Sequence, residues 1–171
     1  MFHRNIKLIL AALLIAAGIW EIVDNDTGNG IFLILLSIIP IFLYFKNEFI
    51  LLAFLKLRKQ DFPGAQKWLS YIKNPQTALV RKQQGYFNYL QGIMLSQTNI
   101  MQAEKYFKKA IELGLSMDMD LAVAKLNLAG VAMTRRRKLE ATNLLNEAKK
   151  LDKHNMLKDQ IVMMKDQMKK M

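Results

Sequence analysis

Cysteine is absent from all 171 residues, which removes disulfides, thiolate zinc sites, iron–sulfur clusters and a cysteine nucleophile together. The same absence argues against a disulfide-stapled extracellular module, since such small domains depend on their bridges. Histidine is almost missing. His3 and His154 stand at opposite ends, and neither belongs to a metal-ligand spacing. Glycine never forms a phosphate-cradling loop: Gly28-Asn29-Gly30 has no Lys-Ser/Thr after it. Acids are few, 14 against 25 bases. Asp118 and Asp120 are close and are flanked by Met117, Met119 and Leu121. They read as a helix start, where the dipole favours carboxylates, rather than as an acid–base couple. With these parts missing, we expect no enzyme, no cofactor and no metal.

What the chain has in excess is apolar residues at its front. Residues 6–23 are apolar except for Lys7 and Glu21 near the ends. Eighteen residues as helix span about 27 Å, close to the hydrocarbon thickness of a bilayer. Arg4 and Lys7 would suit a signal peptide, but no small-x-small cleavage site precedes the polar stretch 24–30. That stretch has turn-forming composition. A second apolar run, 31–46, is short for a span. We expect its helix to continue past Lys46, which would snorkel to the interface, into Phe49–Leu55, with Pro40 as a tolerated kink. Small residues Ala11, Ala12, Ala16, Ala17 and Gly18 offer a face for close packing of the two helices. Glu21 is expected as a solvated carboxylate near the outer interface. His3, Arg4 and Lys7 flank the first span, and Lys46, Lys56, Arg58 and Lys59 follow the second. The loop between them has two Asp and no Lys or Arg. The positive-inside rule therefore places both termini in the cytoplasm, in an inner or plasma membrane.

From residue 46 onward the chain repeats at a period of 38. Ala65, Ala103 and Ala141 share a column, as do Leu69, Phe107 and Leu145, then Ile72, Ala110 and Ala148, then Leu52, Leu90 and Leu128. Gly92 and Gly130 also match. A unit of this length cannot bury its own apolar face, so copies stack. The best copy reads Phe87-Asn88-Tyr89-Leu90-Gln91-Gly92, a turn at Thr98-Asn99, then Gln102-Ala103 through Phe107 to Ala110 and Leu113. It resembles the tetratricopeptide-repeat family: Phe87 at the aromatic and Leu90 at the leucine of helix A, with Ala103, Phe107 and Ala110 at the small–aromatic–small positions of helix B. In the copy over 121–151, Lys125 replaces the helix-A aromatic and Lys153 stands where proline is usual. The first copy keeps Ala65 and Leu69 behind an Asp61-Phe62-Pro63-Gly64 turn, and its helix A, 47–59, is expected to run on from the second span. Asn74–Thr77 and Gly114–Asp118 absorb the four residues beyond the usual repeat of about 34. Residues 155–170 carry Met156, Leu157, Ile161, Met164 and Met168 at helical spacing, which suits a capping helix packing its stripe on the last hairpin. The competing role for those methionines is an adaptable surface for a partner helix.

The expected architecture is therefore all-α. A transmembrane hairpin occupies 1–46, a tetratricopeptide-like α-solenoid of about three hairpins occupies 47–154, and a capping helix occupies 155–171. The resemblance implies a groove, lined by A helices, that receives a peptide or helix of another protein. Lys82, Asn88, Gln91, Lys125 and Asn127 are its candidate residues. Arg135, Arg136, Arg137 and Lys138 form a basic patch in a region, 61–171, with 19 Lys/Arg against 10 Asp/Glu. Three readings compete for that charge, in this order: a solvated face, attraction to anionic lipid headgroups, and non-specific contact with RNA or DNA. Nucleic acid ranks last because no interleaved aromatics or reading motif accompany the cluster. The expected function is a membrane-anchored scaffold or adaptor. The alternative is an accessory subunit held in a larger complex by its transmembrane hairpin.

Overall fold

The structure, a computed structural model, describes residues 4–45 and 47–170. Among them the chain is all helical, and it divides into two compact units, Met1–Lys73 and Asn74–Met171. The first hairpin of the repeat therefore shares a unit with the apolar helices.

In the first unit, α1 (Arg4–Val23) and α2 (Thr27–Phe45) form an antiparallel hairpin. Both are long and apolar enough to cross a membrane, and most of their large side chains are exposed, as in Leu13, Ile19, Phe32 and Ile38. The turn is tighter than the composition suggested, because Thr27 to Gly30 already belong to α2. Asn25 takes a left-handed φ of 65°, and the Asp26 amide reaches back to the Glu21 carbonyl at 2.9 Å, closing α1 as a Schellman turn. The helices touch backbone to backbone at Gly18 and Gly30. A Cβ on Gly18 would lie 2.9 Å from the Gly30 carbonyl oxygen, and one on Gly30 2.7 Å from that of Gly18. Ala11 and Ser37 are buried. Ala12, Ala16 and Ala17, expected on the packed face, point outward instead. A seven-residue step from Ala11 to Gly18 stays on one side of a helix, whereas those three lie off it.

The second apolar helix does not run on. It ends at Phe45, and α3 (Glu48–Arg58) begins afresh. Asn47, buried, caps it by accepting from the Phe49 and Ile50 amides at 3.0 and 3.3 Å. Lys46, expected at the interface, lies outside the described residues. Lys7 secures this corner from below: its ammonium donates to the Leu43 carbonyl at 3.1 Å and pairs with Glu48. One cation thus satisfies an orphan carbonyl at the end of α2 and binds the first turn of α3. α4 (Phe62–Ser70) returns against α3, burying Ala53, Ala65 and Leu69, with Phe49, Trp68 and Tyr71 clustered at 5.6 to 6.1 Å.

The second unit opens with a short helix, α5 (Pro75–Ala78), in a segment expected to be a turn. α6 (Arg81–Leu95) pairs with α7 (Ile100–Leu113), and α8 (Asp118–Thr134) pairs with α9 (Lys138–Leu151). α7 packs on α8, and α10 (Lys158–Lys169) packs on α8 and α9. Asp118 and Asp120 fall in the first turn of α8, as their flanking residues indicated. The repeat columns are core: Ala103, Ala110, Ala141 and Ala148 are at most 1% exposed, and Phe107 and Leu145 are fully covered. Small side chains at these positions let paired helices approach, and Phe107 fills the space they leave. Gly114 ends α7 at φ 95°, and its carbonyl would lie 2.6 Å from a Cβ on Gly85, so only glycine fits where α6 passes that end. Asp152 ties down the last connection by accepting from the Met156 and Leu157 amides at 2.9 and 2.7 Å. α10 then buries Leu157, Ile161 and Met168 against the last hairpin, with Met164 partly covered and Met156 exposed.

Candidate functional site

Two clefts open on the second unit. The first, about 370 Å³, lies between the start of α7 and the faces of α8 and α10. Its floor is apolar (Ile100, Phe107, Leu126 and Met164), and its rim carries Ser96, Asn127, Thr134 and Gln160. Gly130 supplies part of the wall; a Cβ there would meet only the Met164 methyl, at 3.6 Å. The second, about 440 Å³, lies between α5, α6 and α7, with Gln84, Asn88 and Lys109 around Phe87 and Leu113.

The five groove candidates do not converge. Asn127 lines the first cleft and Asn88 the second. Each donates its amide nitrogen to a carbonyl one turn back, Val123 at 2.8 Å and Gln84 at 2.7 Å. Lys125 is half-buried and pairs with Glu147 of α9, and Gln91 is half-buried on α6. Lys82 is exposed in the first turn of α6. These three line neither cleft. Ser96, Ile100, Thr134, Gln160 and Met164 were not singled out as cleft residues. The methionine stripe of the last helix was the sequence signal that could have led to Met164.

The basic run divides by role. Arg135 binds Glu104 of α7 at 2.8 Å, and Lys108 holds the same carboxylate at 2.7 Å. The Lys108 hydrogen bond, followed by the charges of Lys108, Arg135 and Arg137, keeps Glu104 below the usual carboxylate range, although burial opposes this. Arg137 pairs with Glu140 at 3.3 Å. Arg136 and Lys138 are exposed and make no ion pair among the described residues. Arg135 thus joins one hairpin to the next, and Arg137 is held locally at the start of α9. On the far side of α6, Tyr86 accepts from the Ser116 amide at 3.2 Å and lies hydrogen-bonded to Asp120, with Tyr89 and Phe107 in edge-to-face contact behind it. Burial, then the Asp120 charge, pushes both tyrosine hydroxyls above their ordinary range. No family model, curated protein or solved structure matches the chain.

Proposed function

We propose that this protein is a membrane-anchored adaptor. In this reading α1 and α2 span an inner or plasma membrane with both termini cytoplasmic, and a tetratricopeptide-like array of hairpins holds a segment of a partner protein, without catalysis. The carrying observation is the first cleft: an apolar floor of Ile100, Phe107, Leu126 and Met164 inside a rim of uncharged hydrogen-bonding groups. That combination suits an amphipathic helix or an extended peptide, with the apolar floor giving affinity and the rim fixing register. Methionine at the wall adds tolerance of shape. The buried Ala65, Ala103 and Ala141 column supports the tetratricopeptide likeness, and the Lys/Arg-free loop at 24–26 supports the orientation. Tethering then raises the effective concentration of the array near membrane partners.

A photo-crosslinking residue at Gln160, on the cleft rim, compared with one at exposed Lys149 on α9, tests the reading in cells. We expect a discrete adduct from Gln160 alone, lost when Gly130→Leu fills the cleft and the thermal melt stays cooperative. Identical adducts from both positions, or an adduct indifferent to Gly130→Leu, would sink it. The alternative, a subunit held by its transmembrane hairpin, predicts that adducts form instead from exposed span positions such as Leu13.

A further inference from the structure

The first hairpin, α3–α4, carries the repeat columns but leaves a side open. Leu51, Leu55 and Arg58 follow at i, i+4 and i+7 and so share one face of α3, opposite Ile50 and Ala53, which are buried. Leu51 is 38% exposed and Leu55 46%, and Phe62, just past the helix end, is 37% exposed. Bases gather at the same end: Arg58 and Lys59 are exposed, and Lys56 is turned to Asp61 at 2.9 Å.

What covers this face is indicated by where α3 starts. Only Lys46 and Asn47 separate it from the end of α2. The corner is held firmly, because buried Asn47 caps α3, and Lys7 bonds both the Leu43 carbonyl and Glu48, its side chain only 13% exposed. If α2 crosses the bilayer over about 18 residues, this corner sits at the edge of the hydrocarbon. A helix leaving there with leucines on its outer face, and basic residues at its far end, has the make-up of one lying in the interface plane. The Phe49–Trp68–Tyr71 cluster lies on the other side of α3, where it packs against α4, so it does not cover the leucine face.

We propose that α3–α4 is a membrane-surface hairpin, its Leu51–Leu55 face inserted among the headgroups and upper acyl chains of the bilayer that α1 and α2 cross. The proposal rests on the spanning assignment above. It makes this copy of the repeat a rigid foot on the lipid, and leaves α6 to α10 as the partner-binding array.

The cysteine-free chain makes the test clean. Single cysteines at Leu51, Leu55, Leu13 and Asn143 carry an environment-sensitive fluorophore, in full-length protein reconstituted into phosphatidylcholine vesicles containing phosphatidylglycerol. Helical circular dichroism confirms that each variant folds. Quenchers are lipids doxyl-labelled near the headgroup or deep in the chain, and aqueous iodide. We expect labels at 51 and 55 to be quenched at least about twofold more by the shallow lipid quencher than the label at exposed Asn143. They should also be protected from iodide. A label at Leu13 quenched by the deep lipid, with 51 and 55 as open to iodide as Asn143, overturns the hairpin proposal alone. Labels at 51 and 55 shielded from both quenchers also overturn it, since protein would then cover the face. A Leu13 label untouched by lipid overturns the spanning assignment, and this proposal with it.

Discussion

Gly92 and Gly130 occupy one column of the repeat yet answer to different constraints. A Cβ on Gly92 would lie 2.9 Å from two ring carbons of Phe107, which is fully buried and has no room to move. Overpacking of this kind costs about 1–3 kcal/mol, more than the roughly 1 kcal/mol of helix propensity that alanine adds. Gly92→Ala should therefore destabilise the protein. Gly130→Ala should stabilise it by up to about 1 kcal/mol, because its Cβ meets only a methionine methyl at ordinary contact distance. Denaturant midpoints in detergent, compared between the two variants, check the opposite signs. The outcome separates a glycine required by packing from one that only shapes the cleft.

Three of the helical hairpins, α1–α2, α3–α4 and α8–α9, share one connection that α6–α7 does not use. Asn25, Gln60 and Arg136 each take a left-handed φ, of 65°, 58° and 57°. The next amide in each case reaches the carbonyl five residues back: Asp26 to Glu21, Asp61 to Lys56, Arg137 to Ala132. That next residue also stands at the start of the following helix, and Asp26 and Asp61 accept from the amides of Asn29 and Gly64. Arg137 makes no such bond. Arg137→Asn should supply the missing cap, worth about 1 kcal/mol. The exposed pair with Glu140 that it removes is worth only about 0.3–0.5 kcal/mol, and the Arg137 charge is the least of those acting on Glu104, so the net shift is toward stability, read as a raised denaturation midpoint. Much at this scale was legible in the chain. The alanine columns and the Asp61 and Thr98-Asn99 turns place the helices of the hairpins within a few residues. The break between α2 and α3 was not, since no glycine or proline marks it. It depends on Asn47 folding back on its own helix and on a lysine forty positions away. The cleft was equally hidden, because the repeat register says which faces pack and not where the terminal helix leaves a gap.

At the scale of the molecule, the second unit is joined across its hairpins by groups that titrate at both ends of the pH range. Glu104 is held below its ordinary value of 4.5, so its contribution is complete above that value and fades as pH falls through the depressed one. Tyr86 and Tyr89 are held above their ordinary value of 10.0, so theirs is complete below it and fades as pH rises. The melting temperature of the full chain in detergent should thus form a plateau with two shoulders. Glu104→Gln should lower the plateau and flatten the acid shoulder while leaving the alkaline one in place. An acid shoulder unchanged in that variant would mean that the link between α7 and the α8–α9 turn contributes nothing to cohesion. The bases at this link also show why net charge is a poor guide to a binding surface here: Arg135 and Arg137 are bound within the protein, and only Arg136 and Lys138 remain to face a partner.

The corner at Lys7 has a temporal side. Its ammonium joins α1 to a residue made 41 positions later. The ion pair therefore cannot form until both apolar segments and the start of α3 have left the ribosome. The Gly18–Gly30 contact needs only α1 and α2, whereas the ion pair waits for Glu48, so the two ends of the hairpin are fastened at different times.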